Sequence, residues 1–220
     1  MGTESGGRRR LAGVVVAAAV VVVLVVGVAI FGLARGPGGG TESSPSETGS
    51  PSWSTAPRPQ PEQLADTADS EVFARQVARA LFTWDTTSGA APIDYAQVLV
   101  EAGDPTGTET AGLASDVRSY LPAPDVWAQL SRYRTRQWLV IDTLEVPDAW
   151  ADAQEQAAPG QLLAGTTAYT ATGTRHRAGT WDGERVEAEQ AVSFTLFVTC
   201  RPSFEYCRLL RLSELNNPLH

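Results

Sequence analysis

The chain has 220 residues, with 25 Asp and Glu against 17 basic residues, all of them arginine, and a net charge of −8. About 150 residues remain beyond an apolar N-terminal run and its linker, which is room for one domain with a proper core and hardly for two. Residues 36–220 hold 13 Arg against 24 acids, a net −11, and such an acidic exterior argues against direct contact with nucleic acid or broad binding to anionic headgroups.

Residues 1–10 read as a cytoplasmic tail carrying Arg8, Arg9 and Arg10. Residues 11–34, LAGVVVAAAVVVVLVVGVAIFGLA, hold no charged or strongly polar side chain. At about 1.5 Å per residue they reach roughly 36 Å, enough to cross a hydrocarbon core of about 30 Å with some tilt. Ten valines would suit a strand in water, but in lipid a lone segment must satisfy its own backbone and so be helical. Three arginines precede the run and one, Arg35, follows it, so the N-terminus is expected inside and the remainder outside. A cleaved signal peptide, with Gly32-Leu33-Ala34 at its cleavage site, is the rival reading. Its apolar region would run only about 7–15 residues, so a single-pass anchor in the cell membrane is preferred.

Residues 35–68 are rich in Gly, Pro and Ser and read as a disordered tether. Order is expected from Asp69 or Ser70, either of which can cap the helix EVFARQVARALFTWDT. Phe73, Val77, Leu81 and Trp84 recur on one face of it. Pro92 opens a second helix, IDYAQVLVEA, and GLASDVRSYL and PDVWAQLSRY make a third and a fourth. The period then shortens. Strands are expected in RQWLVIDTLEV, TTAYTATGTRHRA, RVEAEQAVSFTLFVTC and CRLLRL, with a short helix in DAWADAQEQA and an Asp182-Gly183 hairpin turn. In the third of these strands Val192, Phe194, Leu196, Val198 and Cys200 share a face opposite Ser193, Thr195 and Thr199. Helices first and antiparallel strands afterwards give an α+β domain over 69–215, with a tail at 216–220.

Cys200 and Cys207 are the only cysteines, and outside the membrane the natural reading is a structural disulfide. Cys207 alternates out of phase with Leu210 and Leu212, so a bulge or twisted loop must intervene. Arg132, Arg134 and Arg136 alternate, and Arg175 and Arg177 flank His176; in strands that spacing would line them up as a positive docking patch or as a solvated face neutralised by acids. His176 reads as a sheet histidine, and Trp84, Trp127, Trp138 and Trp150 as core. No catalytic, cofactor-binding or metal-ligating constellation is visible. Asp142, midway along an apolar strand, is the one residue nameable for an enzymatic alternative.

The stretches FARQVARALFTWDT, WAQLSRYRTRQW, GTTAYTATGTRHRAGTWDG and FTLFVTCRPSFEYCRLLRLSELNNPL resemble proteins encoded on actinobacterial integrative conjugative elements. The layout of tail, anchor, linker and outer domain is similar to that of bitopic scaffold subunits of type IV secretion machines, the TcpC-like conjugation proteins among them. That resemblance implies a cone-shaped, nuclear transport factor 2-like domain, with helices wrapped on a curved four-stranded antiparallel sheet. It further implies a non-enzymatic scaffold, integral to the membrane, that contacts other conjugation subunits or further copies of itself. The chain has room for one such domain where TcpC-like proteins carry two. A small-ligand-binding or enzymatic cavity in the cone is the alternative from another class.

Overall fold

The computed structural model describes residues 60–219, so the tail, the apolar run 11–34 and linker residues 35–59 lie outside the described residues. Among the described residues no helix is long and apolar enough to cross a membrane. In chain order come α1 (Ser70–Phe82), β1 (Trp84–Asp85), α2 (Pro92–Glu101), α3 (Thr110–Tyr120), α4 (Pro124–Arg132), β2 (Arg136–Glu145), α5 (Ala149–Gln156), β3 (Thr166–Trp181), β4 (Glu184–Thr199) and β5 (Arg208–Leu212). The fold is α+β. Its one antiparallel sheet has the order β1-β2-β3-β4-β5 and curls into a half-barrel packed with helices.

α1 begins where the cap was expected. The Asp69 carboxylate accepts from the backbone N–H groups of Glu71 and Val72, both at 3.0 Å, which satisfies two of the donors a helix start leaves open. Phe73, Ala74, Val77, Ala78 and Leu81 are buried along one side. The helix stops four residues short of the expected end at Thr86. Thr83 turns extended, with its hydroxyl and its N–H both bonded to the Arg79 carbonyl, and Trp84–Asp85 pairs with Gln137 and Arg136 as β1. The periodicity that placed Trp84 on the helix was really reporting its burial, which a sheet edge provides equally well. The sheet therefore has five strands rather than the four expected.

β3 and β4 form a hairpin of two 16-residue strands in unbroken register. Its turn sets both Asp182 and Gly183 at positive φ (49° and 84°), the geometry a two-residue turn needs to match the strand twist. Val192, Phe194, Leu196 and Val198 enter the core with Leu139, Tyr169 and Ala171; α1 and α3 cover this face. A bulge at Asp142, between Ile141 and Thr143, bends β2. Opposite it, a Cβ on Gly173 would run into the Val140 carbonyl. A second bulge, at Leu210, lets Phe197 pair with Arg211 while Val198 pairs with Leu209. That resolves the phase conflict: Cys207, Leu209 and Leu212 all reach the same core.

Both ends of the domain reach further than expected. Upstream of Asp69, Leu64 packs on the core, the Ala65 N–H donates to Gln76 Oε1 and the Thr67 carbonyl accepts from the Cys207 N–H at 2.8 Å. Downstream, the expected tail lies on β4: the Asn216 N–H donates to the Ser193 carbonyl and the Leu219 N–H to the Thr195 hydroxyl. This explains why Thr195, on the face away from the main core, is fully buried.

Candidate functional site

Cys200 and Cys207 are joined in a disulfide. Both are buried in the main core, with residues 201–206 looping outside it, which marks the bridge as structural. Among the described residues no group of three His, Cys, Asp or Glu is placed to hold a metal ion.

The five arginines do not form one stripe. Arg132 ends α4 and Arg134 occupies a left-handed turn at φ 48°, so strand alternation does not apply to either. Arg136 opens β2. Directly opposite residues of an antiparallel pair share a face, and the register pairs Leu139 with Arg175, Gln137 with Arg177, and Trp138 with His176. Because Leu139 is core, Arg175 and Arg177 lie on the core side of the sheet, and Arg136, Trp138 and His176 on the outer side.

The two core-side guanidiniums are held by neutral oxygens. Arg175 donates to Gln190 Oε1 from across the β3–β4 ladder. Arg177 donates to Gln137 Oε1 at 2.7 Å and lies over the Trp84 ring, 5.4 Å from its centroid. Gln137 in turn donates to the Phe82 carbonyl at the end of α1. Burial lowers the pKa of both arginines, and the Arg175 charge adds to the effect on Arg177. Neither makes an ion pair among the described residues. Trp84 Nε1 and Arg177 Nε are buried without a partner.

On the outer face a row of side chains crosses three strands. The Arg136 guanidinium lies 5.3 Å from the Trp138 ring, and Trp138 stacks on His176 with centroids 5.2 Å apart and planes 7° apart. His176 Nδ1 then lies 3.1 Å from Glu189 Oε1. His176 is thus the sheet histidine expected. Trp138, expected in the core, is half-buried in this row instead. Trp84 and Trp150 are buried; Trp127 packs on Trp84 and Tyr95 in a second, smaller cluster. Trp150 meets Phe197, an outer-face residue of β4, which seats α5 on the side of the sheet away from α1.

A cleft of about 920 Å³ opens where β1 meets β2, between the extended segment 61–65, α1 and the start of β2. Trp84, Tyr95 and Trp138 give it aromatic walls, and Arg79 and Arg136 stand on its lining. Asp142 is not near it. That carboxylate sits exposed at the β2 bulge, with no apolar pocket around it.

What the sequence did not signal is the role of the two glutamines. Gln137 and Gln190 lie in stretches read only as strands, yet each accepts from an arginine. Comparison of the chain with protein-family models, with curated proteins and with solved structures finds no match.

Proposed function

We propose that this chain is a single-pass, membrane-anchored, non-enzymatic scaffold subunit of a conjugative DNA-transfer (type IV secretion-like) apparatus. It works through protein–protein contacts of an extracytoplasmic, nuclear transport factor 2-like domain. The observation that carries the reading is the filled concave face of the sheet. Phe82, Tyr120 and Phe194 pack on one another with centroids 5.3–5.8 Å apart, occupying the space in which a cone of this kind would enclose a ligand. The surfaces left are the outer-face row from Arg136 to Glu189, the rim of the long hairpin and the cleft beside β1. The apolar run with its arginine asymmetry supports the anchor, and the Cys200–Cys207 bridge suits an oxidising compartment.

Deleting the gene from its element should abolish transfer while leaving host growth unchanged, with transfer restored by the full chain supplied in trans. Normal transfer from the deletion strain refutes the conjugation role. Recovery of the native chain in the soluble cytosolic fraction refutes the anchor and the compartment.

A second reading is favoured by the cleft. Its aromatic walls, with Arg79 and Arg136 beside Glu62 and Asp85, suit a flat polar small molecule, which would make the domain an envelope ligand binder. Quenching of tryptophan fluorescence by such ligands, lost in Trp138→Ala, distinguishes it from the scaffold.

A further inference from the structure

β4 is paired along its whole length on one side only. β3 lines it from Thr199 to Glu184 without a break, whereas β5 reaches only residues 196–199. The segment after β5 then covers Ser193 and Thr195. From 184 to 192 the outer edge has no backbone partner among the described residues. That run of nine residues, roughly 30 Å at about 3.4 Å per residue, contains neither proline nor glycine and has no bulge in its ladder with β3. A long, regular open edge is a template for another strand; its protection here is charge alone, with no proline, bulge or covering segment among the described residues.

The side chains along it alternate. Arg185, Glu187, Glu189 and Ala191 point to the outer face, and Glu184, Val186, Ala188, Gln190 and Val192 to the core side, as the register with β3 requires. Residues 184–191 are all exposed. Val186 sits opposite Gly179, which has no side chain to cover it, and is 47% exposed. Beside it Trp181, 54% exposed, stacks on Tyr133 at 4.9 Å. On the core-side flank Val186 and Ala188 are therefore apolar and uncovered between Glu184 and Gln190, while the outer flank carries Glu187 beside Arg185 and Glu189 beside His176.

Charge selects the occupant. The edge from 184 to 192 carries three glutamates and one arginine, so a second copy pairing there meets its own net negative charge, which disfavours the pair. A basic strand meets Glu187 and Glu189 with opposite charge. We propose that the open edge of β4 is a strand-addition site for an extended segment of a partner protein in which basic and apolar residues alternate. Its basic residues face Glu187 and Glu189, its apolar residues cover Val186 and Ala188, and its backbone completes the ladder. The proposal names the partner chemistry behind the protein-contact role and rests on that reading.

The test uses the purified full chain in detergent and three labelled, end-capped nonapeptides: one alternating Lys and Val, its counterpart with Glu in place of Lys, and the Lys peptide with a central Pro. In fluorescence anisotropy the Lys peptide binds, and the Glu and Pro peptides bind at least roughly tenfold more weakly. Hydrogen exchange shows new protection confined to 184–192. Glu187→Lys with Glu189→Lys inverts the charge preference while core amides keep their protection. Equal binding of the Pro peptide, protection appearing elsewhere, or a homodimer joined at this edge overturns the proposal. If the edge behaves as described but the deletion strain transfers normally, the conjugation role alone falls. If transfer is lost but the peptides do not discriminate, the edge alone falls.

Discussion

Tyr120 offers the sharpest test of how the two halves of the domain are joined. Its ring, at the end of α3, packs edge-on against Phe82 and Phe194, and its hydroxyl donates to the Ser213 carbonyl at 2.6 Å, just past β5. Tyr120→Phe keeps the ring and removes the hydrogen bond, which should cost about 1–2 kcal/mol, since an acceptor is left without its partner. Tyr120→Ala also opens a cavity in the aromatic set and should cost about 3–5 kcal/mol. Burial, with smaller contributions from the Asp116 and Glu214 charges, holds the phenol well above its ordinary value of 10.0. Below pH 10 both folded and unfolded states keep the proton. Above it the unfolded chain ionises first, so stability falls as pH rises, by about 1.4 kcal/mol between pH 9 and 11 from this residue alone. Urea titrations of wild type and Tyr120→Phe at pH 8 and pH 11, followed by tryptophan fluorescence, read both effects. The gap between the two proteins should narrow at pH 11 and close almost fully. A gap that stays constant with pH would falsify the account of a buried, neutral phenol.

Two further predictions concern the scaffold of the sheet. Replacing Cys200 and Cys207 by serine should lower stability by about 2.5 kcal/mol, the loop-closure entropy of so short a ring; denaturation midpoints that are unmoved by reductant would contradict this. Gly173→Ala places a methyl group against the Val140 carbonyl and should cost about 1–3 kcal/mol. Hydrogen exchange should then rise first at Val140 and Ile141. An unchanged midpoint would mean that the curl of the sheet does not depend on that close approach.

Much of the domain was legible because its local signals agree with one another. Asp69 before an apolar stripe, Pro92 and Pro124 at first helical positions, and Asp182-Gly183 between alternating runs each have a local physical cause, and each stands where it was expected. The misreadings fall where burial is satisfied by something the local pattern does not encode. Trp84 fits a helix period and a sheet edge equally well, and the choice is made by Gln137 and Arg136 more than 50 residues away, to which β1 pairs. Residues 60–68 have tether-like composition, yet the Ala65 N–H bonds Gln76 on α1 and the Thr67 carbonyl accepts from the Cys207 N–H. No local signal announces such contacts.

The arginines show how parity governs what a strand sequence can say. Alternation assigns faces correctly only inside an unbroken strand: Arg175 and Arg177 do point the same way, as two residues of β3 must. Across the boundary at Arg134 the rule has no force, and within a strand each bulge inverts it. Asp142 inverts it in β2 and Leu210 in β5, which is why Leu139 and Leu144, odd and even, both face the core. The β3–β4 ladder has no bulge over all 16 pairs, so there the sequence alternation of 184–192 can be trusted residue by residue. The two flanks of the open edge belong to the one part of the sheet where parity is never reset. Moving the charge row to the other flank while keeping Val192, Phe194, Leu196 and Val198 in the core would therefore take a new bulge between Ala191 and Val192. Because the ladder has none, the edge chemistry and the core packing share one register.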